Sequence, residues 1–232
     1  MKIALLGYGK MGKVIEKIAE SRGHEIVLRK DASETFDGLA NADVAIDFST
    51  PESAVENISE CLEQGIPVIS GTTGWLEHYH KVAELCEQKN GAFIYGSNFS
   101  LGVNLFFEIN KMVAKMMRRF PQYSIGMEET HHTEKKDAPS GTAISLAKDI
   151  IDNSDYSSWA LANAKSDELL IDAKRIENVP GTHIITYNSS EDSIELKHTA
   201  HNREGFAFGA VLAAEWLQGK QGIFTMKDVL EL

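Results

Sequence analysis

The stretch Ile3-Ala4-Leu5-Leu6-Gly7-Tyr8-Gly9-Lys10-Met11-Gly12-Lys13-Val14-Ile15 decides the fold. Four apolar residues end at a glycine, as a strand buried on both faces does. Val14, Ile15, Ile18 and Ala19 then recur at helical spacing until Gly23 stops the helix. Between strand and helix lies G-x-G-x-x-G. Gly7 permits a tight turn, Gly9 lets the backbone approach a pyrophosphate, and Gly12 allows close helix–strand packing. The helix N-terminus adds amides and a positive dipole end for phosphates. Glycine-rich turns are common, so the pattern alone is weak; set between a strand and a helix, it points to a dinucleotide.

Further along, His24 to Leu28 reads as a second strand and Val44 to Phe48 as a third, followed by a helix from Thr50-Pro51 to about Gln64. Pro67 to Ser70 and Ala92 to Tyr95 are two more strands, separated by a helix that reaches about Lys89. Strands alternating with helices predict βαβ units, an α/β fold with a parallel sheet. After Asn98 the rhythm changes. One long helix is predicted over Leu101 to Phe120, then a strand over Ser124 to Glu129 and a helix over Ala143 to Ile151. Strands near Gly181 to Tyr187 and Asp192 to Ala200 have hairpin-like spacing, which predicts a second, α+β domain. Phe206 to Gln218 and Thr225 to Glu231 return to helix and can pack back on the first domain. Asp152 to Asp172 is polar and indistinct.

Net charge is −11 over 232 residues, with 43% hydrophobic and 25% charged. An acidic surface repels phosphate backbones and anionic lipid, which argues against nucleic acid and membrane surface as partners. An anionic small ligand needs a local basic pocket. The two cysteines, Cys61 and Cys86, form no C-x-x-C pair and read as buried thiols of a reducing compartment. No apolar run approaches the ~20 residues of a membrane span, and Met1-Lys2 opens directly on a strand, so a cytoplasmic protein is expected.

Several stretches carry candidate chemistry. At the end of the second strand, where a carboxylate usually takes the ribose hydroxyls, stand Arg29 and Lys30. Either they hold a 2′-phosphate, or they are a solvated basic turn with Asp31 serving the ribose. Gly71-Thr72-Thr73-Gly74 and Ser97-Asn98-Phe99-Ser100 follow strands at the carboxyl edge, where open α/β sheets bind ligands. The first is a ligand contact or a helix cap; Phe99 packs on a nicotinamide or fills a seam. The richest stretch runs from Glu129-Thr130-His131-His132 through Lys135-Lys136-Asp137 to Ser140-Gly141-Thr142-Ala143. It supplies the required basic pocket. Ser140-Gly141-Thr142 opens a helix whose positive end can take a carboxylate, and a histidine can move a proton near neutral pH. His131, His132 and Asp137 are also metal-ligand types, but adjacent histidines rarely point the same way, so no metal is expected.

This E-x-H-H-x-x-K-x-D-A-P-S-G-T-A stretch resembles the signature of the dihydrodipicolinate reductases, now named 4-hydroxy-tetrahydrodipicolinate reductases. The similarity extends to Gly7–Gly12, Asp47-Phe48, Gly71–Gly74, Ser97–Ser100, Pro180-Gly181-Thr182-His183, and His198-Thr199-Ala200 with Arg203, Phe206-Ala207 and Gly209-Ala210, in the family's order. The resemblance implies a Rossmann-like domain from residues 1–100 and 204–232, and a substrate-binding and tetramerisation domain from residues 101–203. It implies reduction of a cyclic unsaturated dicarboxylate with hydride from NADPH or NADH, by a homotetramer. His131 and Lys135 fall on the catalytic positions. His132, Ser140, Gly141, Thr142 and Thr73 fall on the substrate side. Gly7, Tyr8, Gly9, Lys10, Met11, Gly12, Arg29, Lys30, Phe48, Gly71, Thr72, Thr73, Ser97, Asn98, Phe99, Arg203 and Phe206 fall on the cofactor side. Three departures stand out: a shortened segment between the Thr142 helix and Arg175, Gly126-Met127 before the signature, and Arg29 in place of an acidic residue. The alternative class is another amino-acid-pathway oxidoreductase. A semialdehyde dehydrogenase needs a nucleophilic cysteine, which neither Cys61 nor Cys86 resembles. A non-enzymatic dinucleotide sensor would have no use for the His/Lys cluster.

Overall fold

The computed structural model describes residues 1–31 and 34–232. The chain divides into two compact units, Met1–Leu101 with Arg203–Leu232, and Gly102–Asn202.

The first unit is a six-stranded parallel sheet. Its strands are β1 (Lys2–Leu6), β2 (Glu25–Lys30), β3 (Val44–Asp47), β4 (Val68–Ser70), β5 (Ala92–Tyr95) and β11 (Gly222–Phe224), in the order β11-β5-β4-β3-β1-β2. Because side chains alternate along a strand, β1 feeds two cores. Ile3 and Leu5 pack with Ile15 and Ala19 of α1 (Lys10–Ser21) and with α6 (Glu204–Leu217). Ala4 and Leu6 pack on the other face with α2 (Pro51–Glu63) and α3 (Tyr79–Gln88). Small residues let α6 sit close: a Cβ on Gly209 would come within 1.7 Å of the Phe99 carbonyl oxygen. Val229 of α7 (Met226–Leu230) completes the first face. The sequence does not predict β11, three residues long and glycine-initiated. It also ends β2 too early; Arg29 and Lys30 are its last two residues, not a turn.

The second unit is a mixed sheet in the order β10-β9-β6-β8-β7, covered by α4 (Leu101–Met117) and α5 (Gly141–Ile151). Its strands are β6 (Ser124–His131), β7 (Ser158–Ala160), β8 (Glu168–Arg175), β9 (Gly181–Asn188) and β10 (Ser193–Ala200). β6 runs antiparallel to β9 and parallel to β8. The inward face carries Met127, Leu169, Ile171, Ile185 and Tyr187, packed on Phe106, Ala114, Leu146 and Ile150 of the helices. β7 and the first part of β8 fall in the stretch Asp152 to Asp172, which the sequence leaves unassigned. No helix among the described residues is long and apolar enough to cross a membrane.

Candidate active site

In the first unit the glycine motif forms the β1–α1 turn. Gly7 has φ +98°, and a Cβ there would meet the Phe48 carbonyl at 2.1 Å; one on Gly12 would meet the Gly7 carbonyl at 2.3 Å. A Cβ on Gly9 would meet nothing within 4 Å, so that side of its backbone stays open to a ligand. That combination fits a dinucleotide pyrophosphate at the start of α1, with Tyr8, Lys10 and Met11 alongside. A Cβ on Gly71 would strike the Phe48 ring at 2.3 Å, so the β4 turn needs glycine to accommodate that ring.

Beneath these turns lies a group that the sequence reading noted only as part of a matching block. Asp47, 0% exposed, ends β3. Its carboxylate accepts from Ser49 Oγ (2.6 Å), Ser70 Oγ (2.7 Å), Thr72 Oγ1 (2.7 Å) and Asn57 Nδ2 (3.0 Å). Burial pushes its carboxyl up, and these four bonds push it down; the balance is upward. Thr72 in turn accepts from the Ser49 amide at 2.8 Å, so the β3 and β4 turns are tied together. Thr73, Ser97 and Arg203 are exposed at the surface of this unit, and Asn98 and Phe206 are half-buried.

Three expected cofactor contacts have other surroundings. Arg29 donates from Nε to Glu16 of α1 at 2.7 Å, and Tyr8 donates its hydroxyl to the same carboxylate. Lys30 is 6% exposed, its ammonium 4.6 Å from the Phe36 ring centroid. Phe99 is 1% exposed within the core, 5.8 Å from the Phe48 ring, and so fills the core rather than offering a face to a nicotinamide.

In the second unit, strand register builds a polar cluster at one end of the sheet. Glu129 pairs across with His183 of β9, and His131, two residues on and on the same face, pairs with Arg175 of β8. Glu129 is 0% exposed, with Oε2 3.0 Å from His131 Nδ1 and Oε1 3.1 Å from Arg175 Nη2. The Ser140 amide donates to the same Oε1 at 3.1 Å. Burial would raise the Glu129 carboxyl, but His131, Ser140 and Arg175 together hold it down to about 2. It is an anion throughout the working pH range. The His183 ring lies 5.2 Å from that of His131, near-perpendicular, and burial first and His131 second push it down to about 3. A neutral His183 meets Ser140 Oγ at 3.2 Å, and Ser140 Oγ caps α5 by accepting from Ala143 at 3.1 Å.

The Lys135 loop is fastened to this cluster. Lys135 pairs with Asp137 at 2.8 Å, and Arg175 Nη2 donates to the Asp137 carbonyl at 2.7 Å. His132, half-buried, accepts at its carbonyl from the Lys135 amide at 3.2 Å. Gly141 and Thr142 form the first turn of α5 beside Ser140. His131, Ser140, Gly141, Thr142, His132 and Lys135 are thus gathered at one sheet end, together with Glu129, Arg175 and His183. No local pattern marks Arg175 and His183 as partners of Glu129, because they meet through register. Glu129, His131 and His183 each offer a donor atom within 4.8 Å of the others, a grouping able to hold a cation. The Arg175 guanidinium on Glu129 already supplies that positive charge, which disfavours a second. Cys61 and Cys86 are 0% and 1% exposed, and burial raises both thiols, so neither serves as a nucleophile.

The profiles described as Dihydrodipicolinate reductase, N-terminus and C-terminus match residues 1–99 and 102–230. The 4-hydroxy-tetrahydrodipicolinate reductase of Christiangramia forsetii is 56% identical over 233 residues, covering 99% of this chain and 98% of that one. Its namesake in Archaeoglobus fulgidus is 36% identical over 263 residues, covering 100% of both. The fold is similar to dipicolinate-bound dihydrodipicolinate reductase from Paenisporosarcina sp. TG-14, with TM-score 0.76 and 22% identity over 97% of each chain. Turn geometry, the basic sheet end and both halves of the sequence agree: the chain belongs to the dihydrodipicolinate reductase family.

Proposed function

We propose that the chain reduces 4-hydroxy-tetrahydrodipicolinate to tetrahydrodipicolinate with NADPH or NADH, in lysine and diaminopimelate biosynthesis. The observation that carries this reading is the 56% identity to the Christiangramia forsetii reductase over 99% of the chain. The bound nicotinamide dinucleotide supplies the hydride. The Gly7–Gly12 turn and α1 would hold its phosphates, and Thr73, Ser97 and Asn98 line the same sheet edge, with Thr72 bound to Asp47 beneath them. The substrate is a dianion, and the chain's net charge of −11 makes a local cationic pocket necessary. His132, Ser140, Gly141 and Thr142 take its carboxylates at the positive end of α5. His131 and Lys135 supply the proton that must follow the hydride.

The assay is loss of nicotinamide absorbance with purified protein, the cyclic substrate and either cofactor. Oxidation in proportion to substrate supports the reading; rates at the level of the enzyme-free blank overturn it. The proposal includes a cytoplasmic homotetramer. Its support is the pair of edge strands β7 and β10, which leave unpaired backbone groups, and the exposed Trp159, Leu170 and Ile194 on this sheet. Sedimentation of a fully active monomer of 25.6 kDa overturns that assembly.

A further inference from the structure

We propose that Glu129 is a positioning residue for the reaction: its buried carboxylate fixes the His131 ring and the first turn of α5 in one arrangement, setting the proton donor against the carboxylate-binding turn. The inference rests on the function proposed above and adds a residue to it.

A carboxylate with 0% exposure has lost its water and needs compensation from the protein. An apolar side chain fills such a space at less cost, so a retained charge calls for a reason beyond stability. The three groups around Glu129 suggest one. Each belongs to a different piece of the site. His131, at 3.0 Å, lies two residues along the same strand. Ser140, whose amide donates at 3.1 Å, is the N-cap of α5. Arg175, at 3.1 Å, comes from β8 and also holds the Asp137 carbonyl, and with it the loop that carries Lys135. One carboxylate therefore sets the positions of ring, helix start and lysine loop relative to each other.

The contact also determines which way His131 works. A carboxylate oxygen 3.0 Å from Nδ1 favours the tautomer with hydrogen on that nitrogen, which leaves Nε2 as the atom that gives or takes a proton. The ring is seated over Gly181, where a Cβ would stand 3.1 Å from Nε2. Within this unit, the charged and titratable groups facing His131 are Glu129 on its own strand, His183 on β9, Arg175 on β8 and the Lys135–Asp137 pair on the loop.

The test compares wild type, Glu129→Gln and Glu129→Asp with the cyclic substrate and NADPH. In Glu129→Gln, kcat falls by about 10–100-fold, the usual effect of losing a carboxylate that orients a working histidine. KM for NADPH stays near wild type. The His131 ring nitrogens show a changed tautomer balance by 15N NMR, a readout independent of turnover. Glu129→Asp keeps the charge but draws the oxygens back, and lies between the other two. If Glu129→Gln does not fold, Glu129→Asp alone must show the loss of kcat and the changed tautomer balance. Folded variants with wild-type kcat and tautomer balance overturn the proposal. A wild type that does not turn over the substrate is a failure of the functional reading instead, and the NMR tautomer readout still decides the role of Glu129.

Discussion

Arg29 and Lys30 are consecutive in β2 and point in opposite directions, as strand geometry requires. Arg29 reaches Glu16, an exposed pair that contributes little and can exchange partners. Lys30 buries its stem and sets its ammonium over Phe36. The two therefore answer differently to truncation. Arg29→Ala should raise KM for NADPH by up to about tenfold and leave NADH nearly unchanged, since a charge-assisted contact to the 2′-phosphate is worth ~1–3 kcal/mol. Equal losses with both cofactors would remove Arg29 from cofactor choice. Lys30→Ala should instead cost about 1 kcal/mol of stability through lost packing and cation–π contact, read by urea melts. In the other unit, His131→Ala and Lys135→Ala should each lower kcat by about 10²–10⁴, the range for a lost proton donor, while dinucleotide binding measured by nucleotide fluorescence persists. Wild-type turnover in either variant takes that side chain out of the mechanism.

Among elements, the β3 and β4 turns depend on Asp47. Replacing it by alanine takes the acceptor from three buried side chains, Asn57, Ser70 and Thr72, and from half-buried Ser49, so Asp47→Ala should destabilise by about 2–4 kcal/mol and raise KM for the dinucleotide as the turns separate. A urea midpoint and KM both at wild-type level would mean that the turns hold without it. The elements that carry these turns were legible in the sequence. β1, β3, β4 and β5 are short apolar runs, each followed by turn residues, and the glycine motif marks where β1 gives way to α1. β8 was not legible. Its Leu169-Leu170-Ile171 run sits within the charged sequence Glu168 to Arg175 and shows no clean alternation, although the sheet buries every second residue at its start. The candidate site divides in the same way. His131, Lys135 and Ser140 to Thr142 lie within one continuous stretch and could be read directly. Arg175 and His183 reach Glu129 across 46 and 54 positions, and Asp47 finds Thr72 across 25. Only strand register makes those meetings, and local spacing does not encode it.

For the molecule as a whole, two buried groups weaken the fold in acid. His183 ordinarily titrates at 6.5 and is held down to about 3 in the fold. Between those values the unfolded chain takes up a proton that the folded chain refuses, so stability falls as pH falls. Glu129, moved from 4.5 to about 2, adds a second loss that begins below 4.5. The unfolding free energy should therefore decline from pH 6.5 downward, with a slope of at most about 1.4 kcal/mol per pH unit from each group. His183→Gln should flatten the part between 6.5 and 4.5. An unaltered slope there, in urea melts across pH, would mean that His183 does not cause it. The segmented make-up of the first unit also bears on how the protein is born. Its sheet is exposed on the α1 face until α6 arrives with Ala207, Ala210, Val211, Ala213, Ala214 and Leu217. Ribosomes add about 5–20 residues per second, so synthesis of Gly102–Asn202 leaves that greasy surface uncovered for roughly 5–20 s. In the meantime the inserted unit can mature on its own. A released fragment ending near residue 203 should carry a protease-resistant inserted unit beside a digestible amino-terminal half, the mark of a chain whose first unit closes last.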